Sequence, residues 1–323
     1  MTIVIRAVLA LVLGAITMAC AQAQTFPTRT VRIIVPFSPG SILDTLARFV
    51  AAKAGEDWGQ PAVVENRAGA GGRIGAEQVA KSPPDGHTIV LGSVGTHVGV
   101  VYLSKVVPYD PVKDFTPISL AVEPVAGLIV NPSVPVNSLK ELIEFSKRNP
   151  GKVAYATNGV GTVFHLAGEL LKQAGGFEML HVPMQGAGDV MNAVVGGHVQ
   201  VGFASAAQFP SYVTSGKVKV LGMATPARYA RFPNVPTIGE TVPGFDYPGS
   251  WLGFLGPANM PAPILARWNA EVVRALTAPD VKGKLEDAGM IVVASSPQEF
   301  AEAIKKGMAT FGKAVKLAGI QPE

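Results

Sequence analysis

Val35-Pro36-Phe37-Ser38-Pro39-Gly40-Ser41-Ile42-Leu43-Asp44 takes the end of an apolar run, Val31–Pro36, through a Ser/Pro/Gly turn and into the helical stretch Thr45–Ala54. The device recurs. Leu91-Gly92-Ser93-Val94-Gly95-Thr96-His97 ends a second apolar run, and Ala156-Thr157-Asn158-Gly159-Val160-Gly161-Thr162 feeds a helix over Val163–Gln173. Val182-Pro183-Met184-Gln185-Gly186-Ala187-Gly188-Asp189 leads into Val190–Val195. Each turn leaves backbone N–H groups unpaired at a helix N-terminus, where the helix dipole also favours negative charge. Glycine admits a ligand close to the backbone, and Ser, Thr and Asn add directional donors. Anion binding is one reading of such turns; ordinary α/β connections are the other.

Short Val/Ile-rich runs alternate with amphipathic helices along the chain, at Val31–Pro36, Thr88–Gly92, Gly127–Val130, Val153–Ala156, Val199–Phe203 and Val218–Ala224. That alternation predicts an α/β fold with mostly parallel sheets. Ser138-Leu139-Lys140-Glu141 and Ser296-Pro297-Gln298-Glu299 read as capping boxes, and Pro150-Gly151 stops the first of these helices. No low-complexity linker separates the halves, which predicts two lobes joined by crossover strands near Leu120–Val125 and Met223–Arg228. The lobes are then 24–123 with 227–323, and 124–226. Ligands of open α/β sheets bind at the carboxyl ends of strands, where the turns fall.

Residues 1–23 read as an export signal: Arg6 is followed by an apolar run from Ala7 to Ala19, too short for a bilayer span. Ala21-Gln22-Ala23 offers a cleavage site, predicting a periplasmic chain starting near Gln24. A lipid anchor at Cys20 is the less favoured alternative, because Thr17 stands where Leu is expected. Cys20 is the single cysteine, so the processed chain is expected to hold no disulfide or thiolate metal site.

Net charge is +4 and charged residues make up 15 % of the chain, with Lys and Arg scattered. Nucleic acid is therefore not expected as a partner. The five histidines are dispersed and no metal site or cofactor is expected. Gly69-Ala70-Gly71-Gly72-Arg73-Ile74-Gly75 imitates a dinucleotide fingerprint, but only Val63-Val64 reads as strand before it, so it is taken as a structural loop. Trp251 and Trp268 are expected in the core. Asp44 suits a dipole-complementing cap better than a ligand contact, while His165 suits a ligand contact and local packing equally.

The chain as a whole resembles the substrate-binding proteins of tripartite tricarboxylate transporters, the Bug family. The resemblance rests on Val35-Pro36-Phe37 through Asp44, Val64-Glu65-Asn66-Arg67-Ala68-Gly69 through Ala76, and Pro84-Asp85-Gly86-His87-Thr88. Pro108-Tyr109-Asp110-Pro111 through Phe115, His165-Leu166-Ala167-Gly168-Glu169-Leu170, His181-Val182-Pro183, Phe232–Thr237 and Pro261–Ile264 continue it. It implies a two-lobed, type II periplasmic-binding-protein (Venus-flytrap) fold and a carboxylate held by N–H groups, small polar side chains and water. It also implies delivery to a two-component membrane permease, by a protein expected to be monomeric and not an enzyme. An exported hydrolase or lyase on this scaffold would need a base–nucleophile pair, and none can be assigned.

The expected ligand-binding residues are Pro39, Gly40, Ser41, Ile42, Asp44, Ser93, Thr96, His97, Asn158, Gly161, Thr162, His165, Met184, Gln185 and Ser205. Departures from the family pattern bear on the ligand. Ser41 stands where a second Gly is usual, Met184-Gln185 replaces Tyr-Lys/Arg, and Phe203-Ala204-Ser205-Ala206-Ala207 lacks the Asp often found shortly after this strand. With Ile42, Leu43, Val160, Val163, Phe164 and Met184 beside the turns, an apolar mid-pocket is expected if half of them point inward. That favours an aromatic or long-chain dicarboxylate such as a terephthalate-like diacid. Citrate, a C4-dicarboxylate or an amino acid is the alternative.

Overall fold

The computed structural model describes residues 26–247 and 249–322; residues 1–23, expected to be an export signal, and Cys20 among them lie outside the described residues. The chain opens with β1 (Val31–Val35), α1 (Ile42–Trp58), β2 (Ala62–Asn66), a 3-10 turn (Ala70–Gly72), α2 (Arg73–Ala80) and β3 (Thr88–Ser93). A π-helical turn (Gly95–Gly99) continues into α3 (Val100–Leu103), and β4 (Phe115–Pro124) follows. A second group comprises β5 (Ala126–Val130), α4 (Leu139–Arg148), β6 (Ala154–Thr157), α5 (Val163–Gly175), β7 (Leu180–Pro183), α6 (Ala187–Val195), β8 (Val201–Ser205), α7 (Pro210–Thr214) and β9 (Lys219–Met223). The chain then runs through α8 (Ile238–Thr241), β10 (Leu252–Pro257), α9 (Ala262–Thr277), α10 (Pro279–Asp287), β11 (Met290–Val292) and α11 (Pro297–Leu317).

Two sheets result, ordered β11-β4-β10-β3-β1-β2 and β7-β6-β8-β5-β9. They are mixed rather than mostly parallel. β1 pairs parallel with β2 and β3, and β6 with β7 and β8. β10 pairs antiparallel with β3 and β4, β11 with β4, and β5 with β8 and β9. The physical reason lies at the crossings. β5 and β10 each begin where the chain has just passed between sheets, so each runs away from the boundary while its βαβ neighbours run towards it.

That polarity places the site. β4 ends at Pro124 and β5 starts at Ala126, so the carboxyl end of β4 lies at the boundary. β3 opposes β10, which opposes β4; β3, β1 and β2 therefore also end there. In the second sheet β8 opposes β5, so β8, β6 and β7 end at the same boundary. All four glycine-rich turns thus lie at the ends of their sheets that face the boundary.

The cores follow the sheet faces. Val31, Ile33 and Val35 point with Leu46, Trp268 and Leu276 into one side of the first sheet, and Ile34 and Val90 point with Phe300 and Phe311 into the other. Tyr155, Phe203 and Leu221 centre the second lobe. Trp251 and Trp268 are buried as expected. Ser296 closes a full capping box with Glu299. Ser138 closes half of one: its hydroxyl accepts from the Glu141 N–H, but the Glu141 carboxylate accepts from the Asn137 N–H instead. Among the described residues no helix is long and apolar enough to cross a membrane.

Candidate ligand site between the lobes

The first-lobe turn is held from below. Asp44 is 4 % exposed, and its carboxylate accepts from the Gly40 N–H (3.0 Å), Arg48 Nε (3.0 Å) and Nη2 (2.9 Å), and Asn66 Nδ2 (3.0 Å). The Arg48 hydrogen bonds hold this carboxyl down at about 2 despite its burial. Asn66 also donates to the Phe37 carbonyl, so one amide and one carboxylate fix the whole turn. Asp44 is therefore a positioning residue, its oxygens already engaged, and the Gly40 N–H is not free for a ligand. Ser41 caps α1 by accepting from the Asp44 N–H. The N–H groups of Ile42 and Leu43, first in the helix, have no intrahelical acceptor and face the boundary. Pro39 and Gly40 are exposed beside them.

The turn after β3 departs from expectation. Thr96 and His97 are fully buried. Thr96 bonds the Ser93 N–H through its hydroxyl (2.9 Å) and the His97 Nδ1 (2.9 Å), while His97 packs edge-on against Phe115 at 4.5 Å. Burial depresses the His97 pKa to about 3, keeping the ring neutral. These two residues, expected to bind ligand, instead shape the core under the turn; the π-helical turn draws them inward. Ser93 remains half-exposed at the strand end.

In the second lobe Thr162 caps α5 and donates to the Gly159 carbonyl, and the Gly161 N–H donates to His165 Nδ1 (3.1 Å). His165 is buried and stacks on His181 at 3.8 Å; burial lowers the pKa of both, His181 to about 4. The local-packing reading of His165 therefore fits its contacts. Gly161 has φ +73°, and a Cβ there would lie 3.1 Å from Leu103 methyls of the other lobe. Its backbone is already covered by protein.

The next turn is more open. α6 has Gly186 at its N-cap with no side-chain hydrogen bond, and space around Gly188 is free. The N–H groups of Ala187 and Gly188 consequently lie exposed at the boundary, beside exposed Gln185. Met184 packs against the small core of Ala156 and Val190 rather than into the cleft. Asn158 after β6 and Gln208 after β8 each carry an amide oxygen that is buried with no partner, and a turned amide would present its NH2 there. Ser205 is half-exposed and accepts from the Ala207 N–H.

Two structural features of the first-lobe turns escaped the sequence reading. Gly69–Gly72 does follow a strand, β2, and does open a helix, α2; Gly69, Ala70, Gly71 and Gly72 all have positive φ. A Cβ on Gly72 would lie 2.6 Å from Thr96 and 3.3 Å from Phe37, so this turn lines up with the other two first-lobe turns. The other is Asn66, whose signal was its place at the strand end.

The family model described as tripartite tricarboxylate transporter family receptor matches residues 46–320. The chain belongs to that family. Bug-type relatives agree: BugT of Bordetella pertussis is 32 % identical over 283 residues, covering 86 % of each chain. Among solved structures, Rpa4515 of R. palustris with adipate superposes with a TM-score of 0.77 at 32 % identity, covering 92 % of this chain and all of that one. MatC of Rhodopseudomonas palustris with bound malate gives a TM-score of 0.71 at 34 % identity, covering 90 % of this chain and all of that one. As a family receptor the chain is a solute-binding protein with the two-lobed type II fold, as the resemblance implied.

Proposed function

We propose that this receptor works in the periplasm, binds a dicarboxylate reversibly between its two lobes, the second of which also takes in Ile238 and Val242, and hands it as a monomer to a two-component permease. The observation that carries the reading is the pair of open helix N-termini, α1 from one lobe and α6 from the other, at a shared boundary. Each offers two unpaired N–H groups and the positive end of a helix dipole to one carboxylate. A diacid answers both at once and draws the lobes together.

Of the six apolar side chains beside the turns, Leu43, Val163, Phe164 and Met184 pack into cores, leaving Ile42 and Val160 exposed. Fewer than half face the cleft. This favours a flexible aliphatic diacid of the adipate type over a rigid aromatic such as terephthalate, with a malate-like C4 acid as the second reading, each matching a ligand carried by a relative. Thermal shift with adipate, malate, citrate, glutamate, terephthalate and benzoate at equal concentration tests it. Adipate is expected to give the largest shift, since a site filled at 100 times Kd gains ~2.7 kcal/mol. Stabilisation by the monoacid benzoate equal to that by adipate would reject the two-ended site. Mass spectrometry of the incubated acids is expected to show no turnover; a product would reject binding without chemistry.

A further inference from the structure

Away from the turns, two adjoining hollows of ≈ 460 and ≈ 240 Å³ lie against the crossing segments and share Glu123, Pro226, Tyr247, Ser250 and Lys306 in their linings. Glu123 stands at the end of β4 and Lys306 on α11, which packs along that strand. Among the described residues neither has an ion-pair or hydrogen-bond partner for its charged head, although both line the same space. Burial pushes the Glu123 carboxyl above its ordinary value, as expected of an acid with no cation beside it. Trp251, 4 % exposed, lines the smaller hollow, and its indole N–H is buried without an acceptor. The Tyr247 hydroxyl is likewise buried without a partner.

Such groups are rarely left unmatched, because an unpaired buried donor costs the full loss of its hydration. A carboxylate and an ammonium without partners on one shared lining, with the unpaired N–H of Trp251 and O–H of Tyr247 on residues of the same lining, ask for a ligand carrying both signs. We infer that this hollow is a second binding site, for a small zwitterion whose carboxylate meets Lys306 and the Trp251 N–H and whose ammonium meets Glu123. The inference does not rest on the dicarboxylate reading, since none of these residues belongs to the turns.

The test is isothermal titration of the full chain with glycine, β-alanine and γ-aminobutyrate, which differ in the separation of their charges, and with acetate and methylammonium as single-charge controls. At least one of the three zwitterions is expected to bind with saturation. Glu123→Gln and Lys306→Met should each weaken that binding tenfold or more, with the melting temperature retained, because Lys306 is exposed and glutamine keeps the shape of Glu123. The inference is overturned if no zwitterion binds by about 10 mM. It is equally overturned if both variants bind as the wild type does, or if acetate or methylammonium binds as tightly.

Discussion

Replacing Asp44 by Asn keeps the shape of the side chain and removes the charge that Arg48, Asn66 and the Gly40 N–H converge on. A carboxyl drawn from 3.8 down to about 2 in the fold corresponds to ~2.5 kcal/mol of stability at neutral pH. The Arg48 side chain is 55 % exposed, so water screens part of that interaction, and ~1–2 kcal/mol is the expected loss. The sign follows from linkage. An acid whose folded pKa is depressed contributes fully above its unfolded pKa, and the contribution disappears as pH falls from about 3.8 through about 2. Urea unfolding of wild type and D44N, followed by tryptophan fluorescence from pH 7 to pH 2, measures the gap. It should be constant down to about pH 5 and close by about pH 2. Under the proposed function the variant should also bind adipate more weakly, because the turn that aims the α1 N-terminus has lost its anchor. Equal stability at pH 7, or a gap unchanged down to pH 2, would refute the assignment of Asp44 as the fastener of this turn.

Two further outcomes are expected. His97 and His181 are kept neutral by burial, with pKa values near 3 and 4, so the unfolded chain takes up their protons first as pH falls below 6.5. Stability should decline by ~1.4 kcal/mol per pH unit for the fully buried His97 between pH 6.5 and about 3, with a smaller contribution from the half-buried His181, and His97→Phe should flatten the slope; a flat wild-type profile in this window contradicts neutral burial. Gly40 and Gly161 share a positive φ, +78° and +73°, but only a Cβ at 161 meets Leu103, whereas nothing lies within 4 Å at 40. Gly161→Ala should therefore cost ~1 kcal/mol more than Gly40→Ala in calorimetric unfolding, and equal costs would show that the lobes do not touch there.

What could be read from the sequence was whatever depends on near neighbours. The expected runs beginning at Val31 and Thr88 became strands with shifts of one residue, and Ser41, Thr162 and Ser296 cap the helices they precede. Each of these features is decided within four or five residues. The strand directions were not legible in this way: β5 and β10 run against their βαβ neighbours because the chain has just crossed between lobes, a fact of topology rather than of local pattern.

The side chains at the turns mark the limit more sharply. A turn residue faces the cleft or the core according to the path of the helix that follows, and that path is set by partners far away in sequence. Thr96 and His97 turn inward because the next segment coils under Tyr109, Phe115 and Trp251. Met184 turns inward because α6 lies back on Ala156. The backbone donors are different: an N–H at the start of a helix points along the axis whatever its side chain does. The unpaired N–H donors at the starts of α1 and α6 were thus predictable from Gly, Ser and the helix start alone. Which side chains fill the space between them was not, and under the proposed function it is Ile42 and Val160, the two of the six left exposed, that decide which diacid fits.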